Sequence, residues 1–372
     1  MSDPPDDRLA RLADHALSLV RREIRAMPGY TPGEQVPGAI KLNTNESAYP
    51  PSPRVMETLG RIADNSLRLY PDPVSRKLRE AAAARYGVSP DQVLAGNGSD
   101  DCLTILYRAF LAPGDRVICP WPTYGLYDTL ATLQGAAMTT TPFVITGDGK
   151  RWLLPPPLGP DPAKMILIAN PNNPSATLIP VEELRRLADQ SSGLLVVDEA
   201  YVDFAGDGAS ILPWLGEHPN LVVLRTFSKS FSLAGARLGL LFAAPALIAQ
   251  LTKVKDSYNV NVLTQALGAV ALEDRAYHEE VVRKTLAERA RLEAALGALG
   301  LRWPESRANF LLCEVGDEAE AVYRALKREG VLVRWWDTPE LSTRLRITVG
   351  KPEENARLIA ALTLLLGPET VP

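Results

Sequence analysis

The chain has 372 residues, 46% of them hydrophobic, and a formal net charge of −4. That is enough apolar material for two domains, or one large domain and a smaller companion, and the acidic balance points away from a nucleic-acid partner. The cysteines (Cys102, Cys119, Cys313) and histidines (His15, His218, His278) are scattered without metal-ligand spacing. No apolar run nears the roughly 18 residues of a membrane span, and no N-terminal apolar region reads as a signal peptide. The expectation is a cytoplasmic protein in a reducing compartment, without metal or membrane contact.

Residues 8–26 place Leu9, Leu12, Ala13, Ala16, Leu17 and Val20 at helical spacing, which predicts an amphipathic helix used for packing or dimer contact. Met27 to Gly33 is an extended Pro/Gly segment. Ile40 to Glu46 runs from a short strand into the polar cluster Asn43-Thr44-Asn45-Glu46, which suits either a turn or a site. Residues 52–66 read as a helix, Leu69-Tyr70-Pro71-Asp72 interrupts it, and 74–86 resume the pattern. A strand over 91–95 then leads through Gly96-Asn97-Gly98-Ser99-Asp100-Asp101 into a helix over 102–111. Glycines between a strand and a helix N-terminus can form an anion site, although a plain cap by Ser99 or Asp100 explains the stretch as well. It is too short for a dinucleotide fingerprint and lacks the lysine of a P-loop.

Arg116 to Cys119 reads as a strand ending in Pro120-Trp121-Pro122-Thr123-Tyr124-Gly125, where an aromatic side chain could stack on a flat ring. Residues 136–145 are β-rich, and 150–162 form a Pro-rich loop. Met165 to Ala169 is a buried strand followed by Asn170-Pro171-Asn172-Asn173-Pro174-Ser175. After a helix over 180–189 comes the strand Leu194 to Val197, ending in Asp198-Glu199-Ala200-Tyr201. The strand Leu221 to Leu224 precedes Thr226-Phe227-Ser228-Lys229, with Arg237 eight residues further on in a Gly/Ala-rich segment. A lysine in an apolar setting loses solvation, so its pKa falls and its amine becomes nucleophilic. Hydroxyls and an arginine beside it suit a phosphate dianion. Together they are what a protein needs to carry pyridoxal phosphate on a lysine.

Leu238 to Phe242 is a further strand, and 245–290 is helical. A smaller α+β unit follows: strand 309–315, helix 318–329, strands 331–335 and 344–349, and helix 352–366. Apolar strands alternating with helices predict an α/β protein, with a mostly parallel sheet of the seven-stranded type covered by helices and a smaller α+β domain. The expected division is an N-terminal arm over 1–48, a large domain over 49–255 and a small domain over 256–372. Every polar cluster after residue 90 lies just past a strand, where open α/β sheets bind their ligands.

These residues resemble the fold-type I pyridoxal-phosphate aminotransferases of class I/II, and among them the histidinol-phosphate aminotransferase family. The likeness rests on Leu42-Asn43-Thr44-Asn45-Glu46, Arg68-Leu69-Tyr70-Pro71, Pro122-Thr123-Tyr124-Gly125 and Asn170-Pro171-Asn172-Asn173-Pro174. It also rests on Asp198-Glu199-Ala200-Tyr201, Ser228-Lys229 with Arg237, and Leu345-Arg346-Ile347-Thr348-Val349-Gly350. The resemblance implies that Lys229 carries the cofactor and moves the proton, with Asp198 on the pyridine nitrogen, held charged at a low pKa by that cation. Asn173 and Tyr201 would bond the ring oxygen, and Tyr124 would stack on the ring. Arg237, Thr226, Ser228 and the backbone at Ser99 and Asp100 would hold the phosphate, joined by Tyr70 from the other subunit of a homodimer. Arg346 would fork onto the substrate carboxylate and Arg334 onto a substrate phosphate, with Tyr30 and Asn45 lining the substrate side.

The reaction implied is exchange between histidinol phosphate with 2-oxoglutarate and imidazole-acetol phosphate with glutamate, a step of histidine biosynthesis. Two departures stand out. Ser175-Ala176 replaces the family's Thr-Gly, and alanine resists positive φ, so a turn of different shape is expected. Trp335-Trp336 adds two bulky rings next to Arg334 and is expected to reshape the pocket. They motivate the alternative of an aromatic amino acid aminotransferase, with a phospho-amino-acid decarboxylase as a third reading. A non-catalytic binding module and a dinucleotide-dependent oxidoreductase fit the motif set less well.

Overall fold

The computed structural model describes residues 5–27, 33–62, 65–158 and 162–367. Its centre is a seven-stranded sheet. In spatial order the strands are Val93–Gly96, Gly239–Ala243, Leu221–Thr226, Leu194–Asp198, Met165–Ala169, Arg116–Trp121 and Ala137–Pro142. All neighbouring pairs are parallel except the two made by Gly239–Ala243, which runs antiparallel to both its neighbours. The inner strands are largely apolar because both faces are covered, whereas the edge strand Ala137–Pro142 carries three threonines and is not buried. Leu195, Val197 and Val223 join one buried cluster, while Leu194, Val196 and Val222 join the cluster on the opposite face.

A third cluster gathers around Leu292, Leu296, Leu311, Val322, Leu345, Ile347, Leu358 and Leu362. It packs the helices Arg275–Ala298, Ala319–Arg328 and Pro352–Leu366 against the antiparallel pair Phe310–Glu314 and Arg344–Thr348. The last helix starts where its sequence dictates. Proline stands in its first turn, and Glu354 accepts from the Lys351 N–H at 2.7 Å. Leu42 also belongs to this cluster. The strand Ile40–Lys41 pairs in parallel with Val331–Leu332, and the Thr348 N–H donates to Leu42 O at 2.9 Å.

Several elements differ from the sequence expectation. The first amphipathic stretch is two helices, Pro5–Ser18 and Arg22–Ala26. The helix expected over 52–66 ends at Arg61, and the short 3-10 turn Asn65–Arg68 follows it. Trp152–Leu153 forms a two-residue strand against Val144–Ile145 inside the stretch read as loop. The helix Leu126–Gln134 went unread, although Tyr127, Leu130 and Ala131 give it a buried face at helical spacing.

Candidate active site

Six parallel strands point their carboxyl ends at one edge of the sheet, where the reversed strand contributes its first residue, Gly239. A cleft of about 1030 Å³ opens along that edge. It is lined by Asn45, Ser99, Asp100, Tyr124, Asn173, Asp198, Tyr201, Thr226, Ser228, Lys229, Arg237, Arg334 and Arg346. Of the residues singled out from sequence, Tyr30 lies outside the described residues. Tyr70 is off the cleft, 80% exposed, with its ring stacked on Tyr258 at 4.4 Å.

Close packing at Gly239 places the phosphate-type wall. A Cβ built on Gly239 would lie 2.3 Å from Ser99 N and 2.5 Å from Gly98 C, so only glycine lets the strand press against the start of helix Ser99–Phe110. The amides of that first turn have no intrahelical acceptor. Gly98 adopts φ +92°, and a Cβ there would sit 2.7 Å from Arg237 Nη2. Arg237 donates to Asp100 Oδ2 at 3.1 Å, and the Tyr124 hydroxyl donates to Asp100 Oδ1 at 3.4 Å. Amides, Thr226, Ser228 and a guanidinium thus converge on one end of the cleft.

Lys229 is deep in the cleft, and Nζ donates to Thr44 O at 3.0 Å. Burial, with the nearby Arg346 cation adding to it, lowers its pKa from the usual lysine value to about 8. Asp198 ends its strand fully enclosed. Tyr127 Oη donates to Oδ2 at 2.7 Å and the Ala200 N–H to Oδ1 at 3.1 Å. Those donors favour the charged form, yet burial wins and raises the carboxyl to about 6. The low value expected from sequence is that of a carboxylate facing a pyridinium; the chain's own donors to Asp198, a phenol and an amide, are neutral. Tyr127 is a site residue that sequence reading missed. Its signal was a tyrosine on the inward face of an amphipathic helix, where a buried hydroxyl needs a partner.

The other end of the cleft is tied to the first by the segment Asn43-Thr44-Asn45. Arg346 donates from Nη1 to Asn173 Oδ1 at 2.6 Å and from Nη2 to Asn43 O at 2.7 Å. Asn45 donates from Nδ2 to Tyr201 Oη at 3.0 Å, and its carbonyl accepts from Asn309 at 3.1 Å. Arg334 and Arg346 sit opposite each other across a β-bridge.

The two sequence departures resolve differently from expectation. Ala176 takes φ +63° while fully buried, so the turn keeps a left-handed residue without glycine. Its N–H donates to Asn172 O at 2.8 Å, and its carbonyl accepts from the Arg307 N–H at 2.8 Å, which holds that conformation from both sides. The two tryptophans part company. Trp335 packs into the small cluster and donates to Ser342 O at 2.8 Å, and only Trp336 lines the cleft.

Comparison with known proteins agrees with this geometry. The family model for aminotransferase class I and II matches residues 37–362. Histidinol-phosphate aminotransferase 1 of Trichormus variabilis is 43% identical over 360 residues, covering 93% of this chain and 98% of that protein. The histidinol-phosphate aminotransferase of Synechocystis is 42% identical over 351 residues, covering 94% and 98%. Among solved structures, histidinol-phosphate aminotransferase from Sinorhizobium meliloti, in complex with pyridoxal 5'-phosphate, superposes with a TM-score of 0.85 at 27% identity. It covers 94% of this chain and 98% of that one.

Proposed function

The chain belongs to the class I and II aminotransferase family, and on that premise we propose that it uses pyridoxal phosphate to exchange amino groups between histidinol phosphate and 2-oxoglutarate. The observation that carries the reading is the buried pair Lys229 and Asp198 in the cleft that also holds Arg334 and Arg346. Asp198 suits the cofactor. It is a buried carboxylate whose own donors, Tyr127 and the Ala200 N–H, are neutral, so a protonated pyridine nitrogen would supply its missing counter-charge. When bound, the cofactor supplies an electron sink that eases loss of the proton from the substrate carbon bearing nitrogen.

The residues divide the remaining work. With a pKa of about 8, Lys229 presents roughly a tenth of its amine uncharged at neutral pH, enough to bond a carbonyl carbon and later to carry a proton. Tyr127 orients the Asp198 carboxylate. Tyr201 accepts from Asn45, which leaves its own O–H proton to donate. Asn173 spends its carbonyl on Arg346, so its NH₂ would be the group that donates to the cofactor's ring oxygen. Ser99, Asp100, Thr226, Ser228 and Arg237 would hold the phosphate, and Tyr124 would cover the ring. Arg346 would bind a carboxylate through its planar fork, and Arg334 the phosphate of the donor.

A homodimer with shared sites completes the proposal. Exposed Leu67, Leu69 and Tyr70 form an apolar edge that a second subunit would cover, bringing Tyr70 and Tyr30 to its partner's cleft. The proposal also divides the chain into an arm over 1–48, a large domain over 49–255 and a small one over 256–372. The cluster around Leu292, Leu345 and Leu358 supports a separate small core, although Val260, Leu267, Ala271, Leu272, Leu312 and Leu341 pack in the large-sheet cluster. A cytoplasmic location belongs to the same proposal. Among the described residues no helix is long and apolar enough to cross a membrane.

Trp336 keeps an aromatic amino acid in view as the alternative donor. Turnover of histidinol phosphate and of phenylalanine, each with 2-oxoglutarate, separates the readings. The proposal expects kcat/KM for histidinol phosphate to exceed that for phenylalanine by at least about 100-fold. The reverse ranking assigns the aromatic substrate, and carbon dioxide release without keto-acid formation assigns a decarboxylase.

A further inference from the structure

Trp336 has no role in the scheme above, yet it occupies the point where the two substrate arginines meet. Arg334 and Arg346 exchange both backbone hydrogen bonds across their bridge, 3.0 Å from Arg334 N to Arg346 O and 2.8 Å in return. Cationic side chains directly opposed on paired strands repel one another. The Trp336 ring centre lies 5.3 Å from the Arg334 guanidinium and 5.1 Å from that of Arg346. One indole is therefore within attractive range of both. The ring is itself fixed. It packs on the large-sheet cluster that contains Leu341, and Trp335 is anchored beside it by its bond to Ser342 O and its stacking on Tyr323.

We infer that Trp336 is a positioning residue that holds Arg334 and Arg346 together as a paired clamp for dicarboxylates and phosphate monoesters. A carboxylate at this position would also gather the two cations, but it would cancel their charge and compete with the substrate. An indole attracts them through its ring quadrupole and leaves the positive charge for the ligand. The flat guanidinium of Arg346 is further steered by Phe310, whose ring centre is 5.4 Å away. Trp336 thus acts on binding through the arginines, and not on the proton transfer at Lys229. The inference relies on the proposed reaction only for the choice of substrates.

The test compares the holoenzyme with Trp336→Leu and Trp336→Phe, using glutamate and histidinol phosphate as donors and glutarate as a non-reacting dicarboxylate. Cofactor absorbance and melting temperature confirm that each variant is folded, and Trp336→Met replaces Trp336→Leu if that variant is not. The expected result for Trp336→Leu is a rise in KM for both donors, and in the inhibition constant for glutarate, of about 10- to 30-fold, with kcat within about threefold. Trp336→Phe, which keeps a ring face, should restore most of that affinity. Unchanged KM and glutarate inhibition in Trp336→Leu would overturn the inference. So would a loss confined to kcat, or a Phe variant as impaired as the Leu variant. If the wild type accepts glutamate but ignores histidinol phosphate, the substrate proposal falls, while the glutamate and glutarate arms still decide the clamp.

Discussion

The two ends of the cleft are built on different principles. At the cofactor end, Asp198 and Thr226 terminate adjacent parallel strands, Lys229 follows three residues later, and Ser99 begins a helix pressed onto Gly239. Each group is fixed by one rigid sheet. At the substrate end, Arg346 is held by Asn43 and Asn173, which are 303 and 173 residues away in sequence, and by the facing Arg334 and Trp336. That end exists only where the N-terminal segment, the large sheet and the small unit meet. A strand end can be rigid from local packing, whereas a site made of distant segments is only as well placed as their mutual contacts. On the proposed reading, chemistry would be anchored in the sheet and specificity in the junction.

The sharpest way to break the cofactor end is Lys229→Ala, which removes the amine while leaving the phosphate wall intact. Transamination should fall at least about 10⁴-fold, measured by coupled keto-acid formation, while non-covalent cofactor binding persists. A variant retaining a tenth of the activity would place the chemistry elsewhere. Next in size is Tyr127→Phe. It removes a buried donor to Asp198, so the carboxyl should move further up and kcat should fall by about 10- to 100-fold. An unchanged kcat would show that Tyr127 is only packing.

The two ends are coupled through charge, which gives a pH prediction. Burial and the Arg346 cation both lower the Lys229 pKa, and a lowered pKa means more free amine at a given pH. The rate at which apoprotein captures pyridoxal phosphate should therefore rise with pH through a midpoint near 8. Replacing Arg346 with glutamine removes a cation, so the midpoint should move up toward the ordinary lysine value. A midpoint that stays in place, read by stopped-flow absorbance, would mean the ends are electrostatically independent.

The smallest effect belongs to the turn between them. Ala176→Gly relieves a left-handed alanine, worth about 1–2 kcal/mol, but adds chain entropy and removes a buried methyl of about 0.8 kcal/mol. Urea unfolding should change by less than about 1 kcal/mol. A larger loss would show that the methyl, wholly buried beside Tyr201 and Phe310, matters more than the strain.

The contrast also explains what the sequence made legible. The strands Met165–Ala169 and Leu194–Asp198 stand out because strands buried on both faces are apolar at every position. Each polar cluster then falls at a strand end, so Lys229, Asp198 and the Ser99 turn follow from order along the chain. Tyr127 did not follow, because its hydrogen bond to Asp198 crosses 71 residues and its side chain sits on a helix face that otherwise reads as plain packing. The opposite orientations of Trp335 and Trp336 were hidden for a similar reason. Adjacent residues on extended backbone face opposite ways, but which one meets the cleft depends on how the small unit sits against the sheet. The low pKa expected of Asp198 assumed a cation that the chain itself does not place beside it.

On the proposed reading, the cofactor end is organised on Lys229. Borohydride reduction of the holoenzyme, followed by peptide mass analysis, tests it directly, because reduction locks a lysine-bound cofactor in place. One modified peptide is expected, carrying the reduced cofactor on Lys229, and no label after excess amino donor has released the lysine. Label on another lysine, or none in protein that is visibly cofactor-loaded, would contradict it.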